Sequence, residues 1–274
     1  MNSFLVETGN QIPALALPSV IESITIMFFS FLRVGGFLIA SPIFGAPSIP
    51  LPVRIVISVV LGLVFFDKID PQPIVQADLF GLMKLIFVEL FAGISMGLLL
   101  SILFASVSLA GEKIATAGGL GFAAQVDPTS GGQTPVISNI MTLFLVVIFL
   151  SLDGHLALVR ALYQSHMLFP LGSNLTIGNS SKFAIESAGE MFHIASIIML
   201  PIVSILLLTN FSIGIITRSA PQLNLFSFGF PLTLMVTFAA LYAYATPLGH
   251  VLHDLTNYCV DFVGKYVTEL HLGK

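Results

Sequence analysis

The chain has 274 residues, 56% of them hydrophobic and 9% charged, with a formal net charge of -4 and a mean hydropathy of +1.00. A soluble domain carries about 25% charged residues, so the composition predicts an integral membrane protein or a subunit buried in a larger assembly. Ten Lys and Arg under a net negative charge argue against nucleic acid as a partner, because neutralising phosphates takes clustered cations. The lone cysteine, Cys259, excludes an internal disulfide and any thiolate zinc cluster.

The N-terminal stretch MNSFLVETGNQIPALALPSV lacks a basic n-region and carries Glu7 before its first apolar run, so it does not read as a cleaved signal peptide. Ile21 to Phe44 is the first long apolar stretch, with Arg33 in its interior. An arginine at the centre of a membrane helix costs about 2.5–3.5 kcal/mol on insertion scales and needs a partner, water or a subunit interface. The alternative is that Arg33 sits near a helix end and snorkels. Ser41 to Pro52 holds four prolines and a glycine, which forbids a regular helix and leaves a semi-rigid connector. Arg54 to Phe66 reads as an apolar helix too short to span comfortably, and Asp67 to Asp78 as a water-exposed loop.

Leu79 to Leu109 shows a long helical pattern interrupted by Lys84 and Glu89. The segment after it carries small residues at every fourth position, Gly111, Ala115, Gly119 and Ala123. On a helix this spacing makes one smooth face for the close approach of another backbone. Regular structure then breaks at Asp127-Pro128 and the glycines 131 and 132, before an uncharged run from Pro135 to Leu152. Non-helical backbone at membrane depth is tolerated only where protein buries it or it lines a cavity, which makes Gly111 to Gln133 the expected moving part.

Asp153-Gly154-His155 closes the apolar run, and Leu156 to Leu171 follows. Gly172 to Lys182 is polar and turn-rich, and is taken as the boundary between an N-terminal region, 1–171, and a C-terminal one, 172–274. Ser187 to Thr217 predicts a long helix kinked near Pro201, Arg218 to Pro231 a second irregular connector, and Leu232 to Ala245 a further apolar helix. From Thr246 onward, Val251, Leu252, Leu255, Tyr258, Cys259, Phe262, Val263 and Tyr266 recur at helical spacing between polar residues. They predict an amphipathic tail helix suited to a partner helix or a membrane surface.

No nucleophile elbow, phosphate loop or HExxH is present, and His250 and His253 beside Asp254 make a poor metal site. No enzyme activity, cofactor or metal is therefore expected. Asp153 and His155 suggest a proton relay, but a helix end, with Gly154 as breaker and Asp153 as cap, explains them more simply. Asp127 before Pro128 is likewise a turn or cap residue.

Four motifs, in order and at suitable spacing, resemble those of the FliR/SctT family. They are Ser41 to Arg54 (SPIFGAPSIPLPVR), Gly111 to Pro128, Ser151 to His155 (SLDGH) and Ala220 to Leu232 (APQLNLFSFGFPL). Lys113 and Ala115 depart from the uncharged residue and the glycine usual there. The resemblance implies a subunit of the type III secretion export gate of bacterial flagella or injectisomes. Such a subunit consists of kinked helical hairpins, all α, that join FliP-type and FliQ-type subunits around a central channel. It would lie in the bacterial inner membrane at the flagellar basal body or injectisome base, with an FlhB-type switch protein nearby. Unfolded substrate proteins would pass through the channel.

The resemblance further implies that the loop at about 111–132 plugs the closed channel. In that reading Gly111, Ala115, Gly118, Gly119, Leu120, Gly121, Phe122, Asp127 and Pro128 form the gate, with Leu120 and Phe122 occluding and the glycines letting the loop move aside. Arg33, Arg54, Asp153 and His155 are polar positions within or between helices, of possible structural importance. The alternative is a secondary transporter with discontinuous helices, which calls for paired intramembrane charges and an inverted repeat. Arg33, Glu89 and Arg160 supply possible charges, but no convincing repeat is visible.

Overall fold

The computed structural model describes residues 17–75, 77–120, 136–173, 177–220 and 228–271. Among them every regular element is helical. The helices are α1 (Leu17–Ala40), α2 (Leu51–Phe65), the single turn α3 (Gln72–Val75), α4 (Leu79–Ala117), α5 (Val136–Ser151), α6 (Gly154–Leu168), α7 (Ile177–Ser219) and α8 (Phe230–His271). Among the described residues four helices are long and apolar enough to cross a membrane, and α5 with α6 forms a pair bent by 68° that passes the same test together. The chain is an all-α integral membrane protein.

Local sequence sets the ends of these elements. Pro42 follows closely on the end of α1, where a helix cannot continue, and Pro52 occupies the first turn of α2, where a missing amide costs nothing. Asp78 caps α4, its Oδ1 accepting the Gly81 amide at 2.8 Å. At 39, 43 and 42 residues, α4, α7 and α8 are each about 60 Å long, twice the roughly 30 Å of a hydrocarbon core.

Three expected boundaries move. The helical pattern read over Leu79 to Leu109 extends as α4 to Ala117. The polar stretch 172–182 is helical from Ile177, because Asn179 and Ser180 bond across to α8: Asn179 Nδ2 donates to the Glu269 carbonyl at 3.2 Å, and Ser180 Oγ lies 3.0 Å from the Tyr266 hydroxyl. The expected separate tail helix is the second half of α8, which is continuous through Pro247. Its apolar stripe is covered within the chain, since Leu252, Leu255, Cys259, Phe262, Val263 and Tyr266 are all buried.

The helices pack as two units. The first comprises 1–98, 159–180 and 264–274, the second 99–158 and 181–263. In the first unit, glycines set the spacing of α1, α2 and α4. A Cβ on Gly93 would collide with the Arg33 carbonyl, one on Gly97 would lie 2.8 Å from the Phe37 carbonyl, and one on Gly36 3.1 Å from that of Leu90. Gly93 and Gly97 thus form a small-xxx-small face along α4 on which α1 rests, backbone to backbone. Gly62 plays the same part for α2 against Phe31, and Ser30 Oγ donates to the Gly62 carbonyl at 2.6 Å.

The second unit repeats the device between α4 and α5. Phe104 meets Phe149 edge-on at 5.3 Å between ring centroids. Ile137, Met141, Leu145 and Phe149 form the buried stripe of α5, while Leu143, Phe144 and Val147 on its other side are exposed.

Candidate functional site

Arg33 is buried at 1% exposure, and its charge is met inside the first unit. Nε and Nη2 donate to the two Glu89 carboxylate oxygens at 2.8 and 2.7 Å. Nη2 also donates to the Phe169 carbonyl at 2.9 Å, and Nη1 donates to the Ser165 carbonyl at 2.7 Å and approaches its hydroxyl at 3.3 Å. All five N–H groups of the guanidinium are thereby engaged. Of the two readings of Arg33, pairing is correct and snorkelling is not. Its partner Glu89 is equally buried, and the carbonyls it binds lie at the C-terminal end of α6, where a cation also offsets the helix dipole. Next to this pair, His166 stacks on Phe65 at 5.4 Å and places Nδ1 3.0 Å from the Leu162 carbonyl. Its Nε2 is buried with no hydrogen-bond partner among the described residues.

Arg54 holds the proline-rich connector. Its Nη2 donates to the carbonyls of Ala46 and Ile49, at 2.6 and 2.9 Å, tying two backbone groups that no helix can satisfy.

In the second unit, the C-terminal end of α4 is built with unusual completeness. Gly119 has φ +81°, the left-handed conformation that glycine adopts without a Cβ penalty. It sits at the position after the cap in a Schellman motif, in which Leu120 N–H bonds the Ala115 carbonyl at 3.0 Å and Gly119 N–H that of Thr116 at 3.1 Å. Gly118 N–H takes the Ile114 carbonyl at 2.9 Å, and Asn210 Nδ2 on α7 takes that of Ala117 at 3.0 Å. The last four carbonyls of α4 are therefore all satisfied by protein groups.

Gly119 is accordingly outside the helix and Ala123 outside the described residues, so among these the expected stripe is helical at Gly111 and Ala115. Both are buried, whereas Glu112 and Lys113 are exposed. Gly111 faces α5, where a Cβ would lie 2.5 Å from Ser138 Cα. The Ser138 hydroxyl donates to the Ser108 carbonyl at 2.9 Å and meets the Ser108 hydroxyl at 2.9 Å. Gly118 faces α8, where a Cβ would lie 2.6 Å from Thr237 Oγ1, and the Phe230 ring lies over Gly119. Leu120 is half-buried. Gly121, Phe122, Asp127 and Pro128 lie outside the described residues. The two stems of that segment, the end of α4 and the start of α5, are thus joined to each other through Gly111, Ser108 and Ser138.

Asp153 occupies the bend between α5 and α6 with φ +55°, a conformation Asp tolerates better than most residues. Its carbonyl accepts the Leu156 and Ala157 amides, at 3.0 and 3.1 Å, and so begins α6. A Cβ on Gly154 would strike the Phe149 ring at 2.7 Å. The carboxylate is exposed, and His155 Nδ1 has no hydrogen-bond partner among the described residues. The three residues thus lie at the junction of two helices, where Asp153 begins α6 through its backbone carbonyl. Sequence reasoning did not foresee the joint role of Glu89 with Ser165 and Phe169, or of Asn210 and Thr237 with the end of α4; each lies far along the chain from the group it serves.

Residues 24–258 match the family of bacterial export proteins, family 1. The flagellar biosynthetic protein FliR of Escherichia coli (strain K12) is 29% identical over 88% of this chain and 94% of its own length. That of Bacillus subtilis (strain 168) is 30% identical over 81% and 87%, and that of Aquifex aeolicus (strain VF5) 30% over 78% and 83%.

Proposed function

Because this chain belongs to the bacterial export proteins of family 1, alongside the flagellar FliR proteins, we propose that it is a noncatalytic subunit of the type III export gate. In this reading it joins FliP-type and FliQ-type subunits, next to an FlhB-type switch protein, in the inner membrane at the base of a flagellum. Unfolded export substrates pass through the channel so formed, and the segment beginning at Gly111 closes it. The observation that supports this is the stem of that segment. Every terminal carbonyl of α4 is satisfied, and Gly111 meets Ser138 backbone to backbone, so the two helices on either side of 121–135 are anchored to each other. A plug needs such an anchor, because a barrier that drifts with its support cannot seal. A dry, apolar constriction excludes ions while yielding to an inserted polypeptide.

The test is to delete residues 121–128, which spares the stem, and to measure ion permeability of membranes carrying the assembled complex. A leak to ions, with FliP-type and FliQ-type subunits still co-purifying, is expected. Unchanged permeability in an intact complex would remove the plug from the proposal.

The transporter alternative asked for paired intramembrane charges, and Arg33 with Glu89 is such a pair. Yet each guanidinium donor is already spent on Glu89, Ser165 or Phe169, which leaves that cation nothing with which to hold a solute. The gate reading is preferred on this ground.

A further inference from the structure

Arg33 and Glu89 lie on helices separated in sequence by α2 and α3, yet each is 1% exposed and they meet at 2.7 Å. The acidic residues between them, Asp67, Asp70 and Asp78, are exposed in the connector before α4. Glu89 is therefore the first carboxylate after Arg33 that falls within a candidate span. A lone guanidinium or carboxylate is disfavoured in hydrocarbon, whereas a hydrogen-bonded pair carries no net charge. The glycine face of α4 at Gly93 and Gly97 lies one and two turns beyond Glu89 and brings the two backbones together at the same crossing.

We infer that α1 and α4 enter the membrane as one charge-neutral unit: α1 does not settle in the bilayer until α4 supplies Glu89. Arg33 then acts as a positioning residue for α6, whose final carbonyls at Ser165 and Phe169 it binds. The latch is asymmetric. Only the residue at position 33 faces backbone carbonyls, so a carboxylate placed there would meet acceptors and not donors.

The test uses the full chain in membranes with a reporter, Phe28→Cys, on the partly exposed face of α1; buried Cys259 provides the background. A water-soluble maleimide labels the reporter when α1 is outside the bilayer and spares it when α1 is inserted. Glu89→Gln, which strands the guanidinium, is expected to lower the ratio of protected to labelled chain by about tenfold or more, whereas Arg33→Gln, which removes the cation from α1, is expected to stay within about threefold of the parent. The double variant Arg33→Gln/Glu89→Gln is expected to return to within about threefold of the parent. The exchanged pair Arg33→Glu/Glu89→Arg is expected to stay as low as Glu89→Gln. Protection unchanged in Glu89→Gln would overturn joint entry, as would a double variant no better than Glu89→Gln. Full protection in the exchanged pair would overturn the role assigned to Arg33 at the end of α6.

Discussion

Gly93→Ala adds one methyl group at the point where α1 and α4 are closest. The new carbon would collide with the Arg33 carbonyl and stand 2.9 Å from its carbon and 3.0 Å from the Phe37 nitrogen. All three are backbone atoms, so no side-chain rotation relieves the contact, and the helices must part by on the order of 1 Å. Overpacking of this kind costs about 1–3 kcal/mol. The displacement also pulls Arg33 from Glu89, a turn away; outright loss of one partner of a buried pair costs about 3–5 kcal/mol, and a loosened pair loses part of that. The sum expected is about 2–4 kcal/mol. It is measured as the shift in an equilibrium unfolding curve in mixed micelles, followed by circular dichroism. Gly264→Ala is the control, because a Cβ there meets nothing within 4 Å and a helical Gly→Ala change is then expected to stabilise by about 0.5–1 kcal/mol. If Gly93→Ala lies within about 0.5 kcal/mol of the parent protein, the backbone-contact argument fails.

Other substitutions address the stem of the proposed plug. Gly119→Ala forces a Cβ into the left-handed region at a cost of about 1–2 kcal/mol, and the Leu120 amide is expected to exchange with solvent faster; unaltered exchange there would refute the capping role. Gly111→Leu is expected to separate α4 from α5 and destabilise the chain more than Ser138→Ala does, the latter losing hydroxyl bonds worth about 1 kcal/mol; the reverse order in unfolding experiments would mean that the hydroxyls matter more than the close approach. Asn210→Ala frees an exposed carbonyl that water can solvate, so it is expected to change stability by less than about 1 kcal/mol while loosening the end of α4, visible as a faster-exchanging Leu120 amide.

Much of the architecture is legible in the sequence because a membrane chain advertises its apolar runs, and the proline-rich connector at 41–52 and the bend at Asp153 declare themselves through backbone chemistry. What is not legible is register between helices. Arg33 visibly needs a partner, but Glu89, 56 positions on, is chosen by how α1 lies on Gly93 and Gly97, and no local signal encodes that crossing. Likewise the small residues from Gly111 onward predict a smooth helical face. Only the turn geometry shows that Gly119 is spent on ending the helix and Gly118 on clearing Thr237. The apolar stripe from Val251 to Tyr266 is correctly periodic, but periodicity cannot say what covers it. Here the chain's own helices do, which is why no separate tail helix forms.

The small residues described at the helix crossings have a consequence for how such a chain can vary over evolutionary time. In a soluble protein the bulky residues are inside, and mutations that shrink them do the harm. Here glycine and serine lie at the crossings, at positions 36, 62, 93, 97, 111 and 138, while large side chains such as Val56, Phe87, Phe144, Leu208 and Met235 point outward. The sites least free to drift should therefore be the smallest residues, where any enlargement is penalised. The outward aliphatic positions can exchange among one another while the fold persists, and their drift is limited only by whatever neighbours the chain meets.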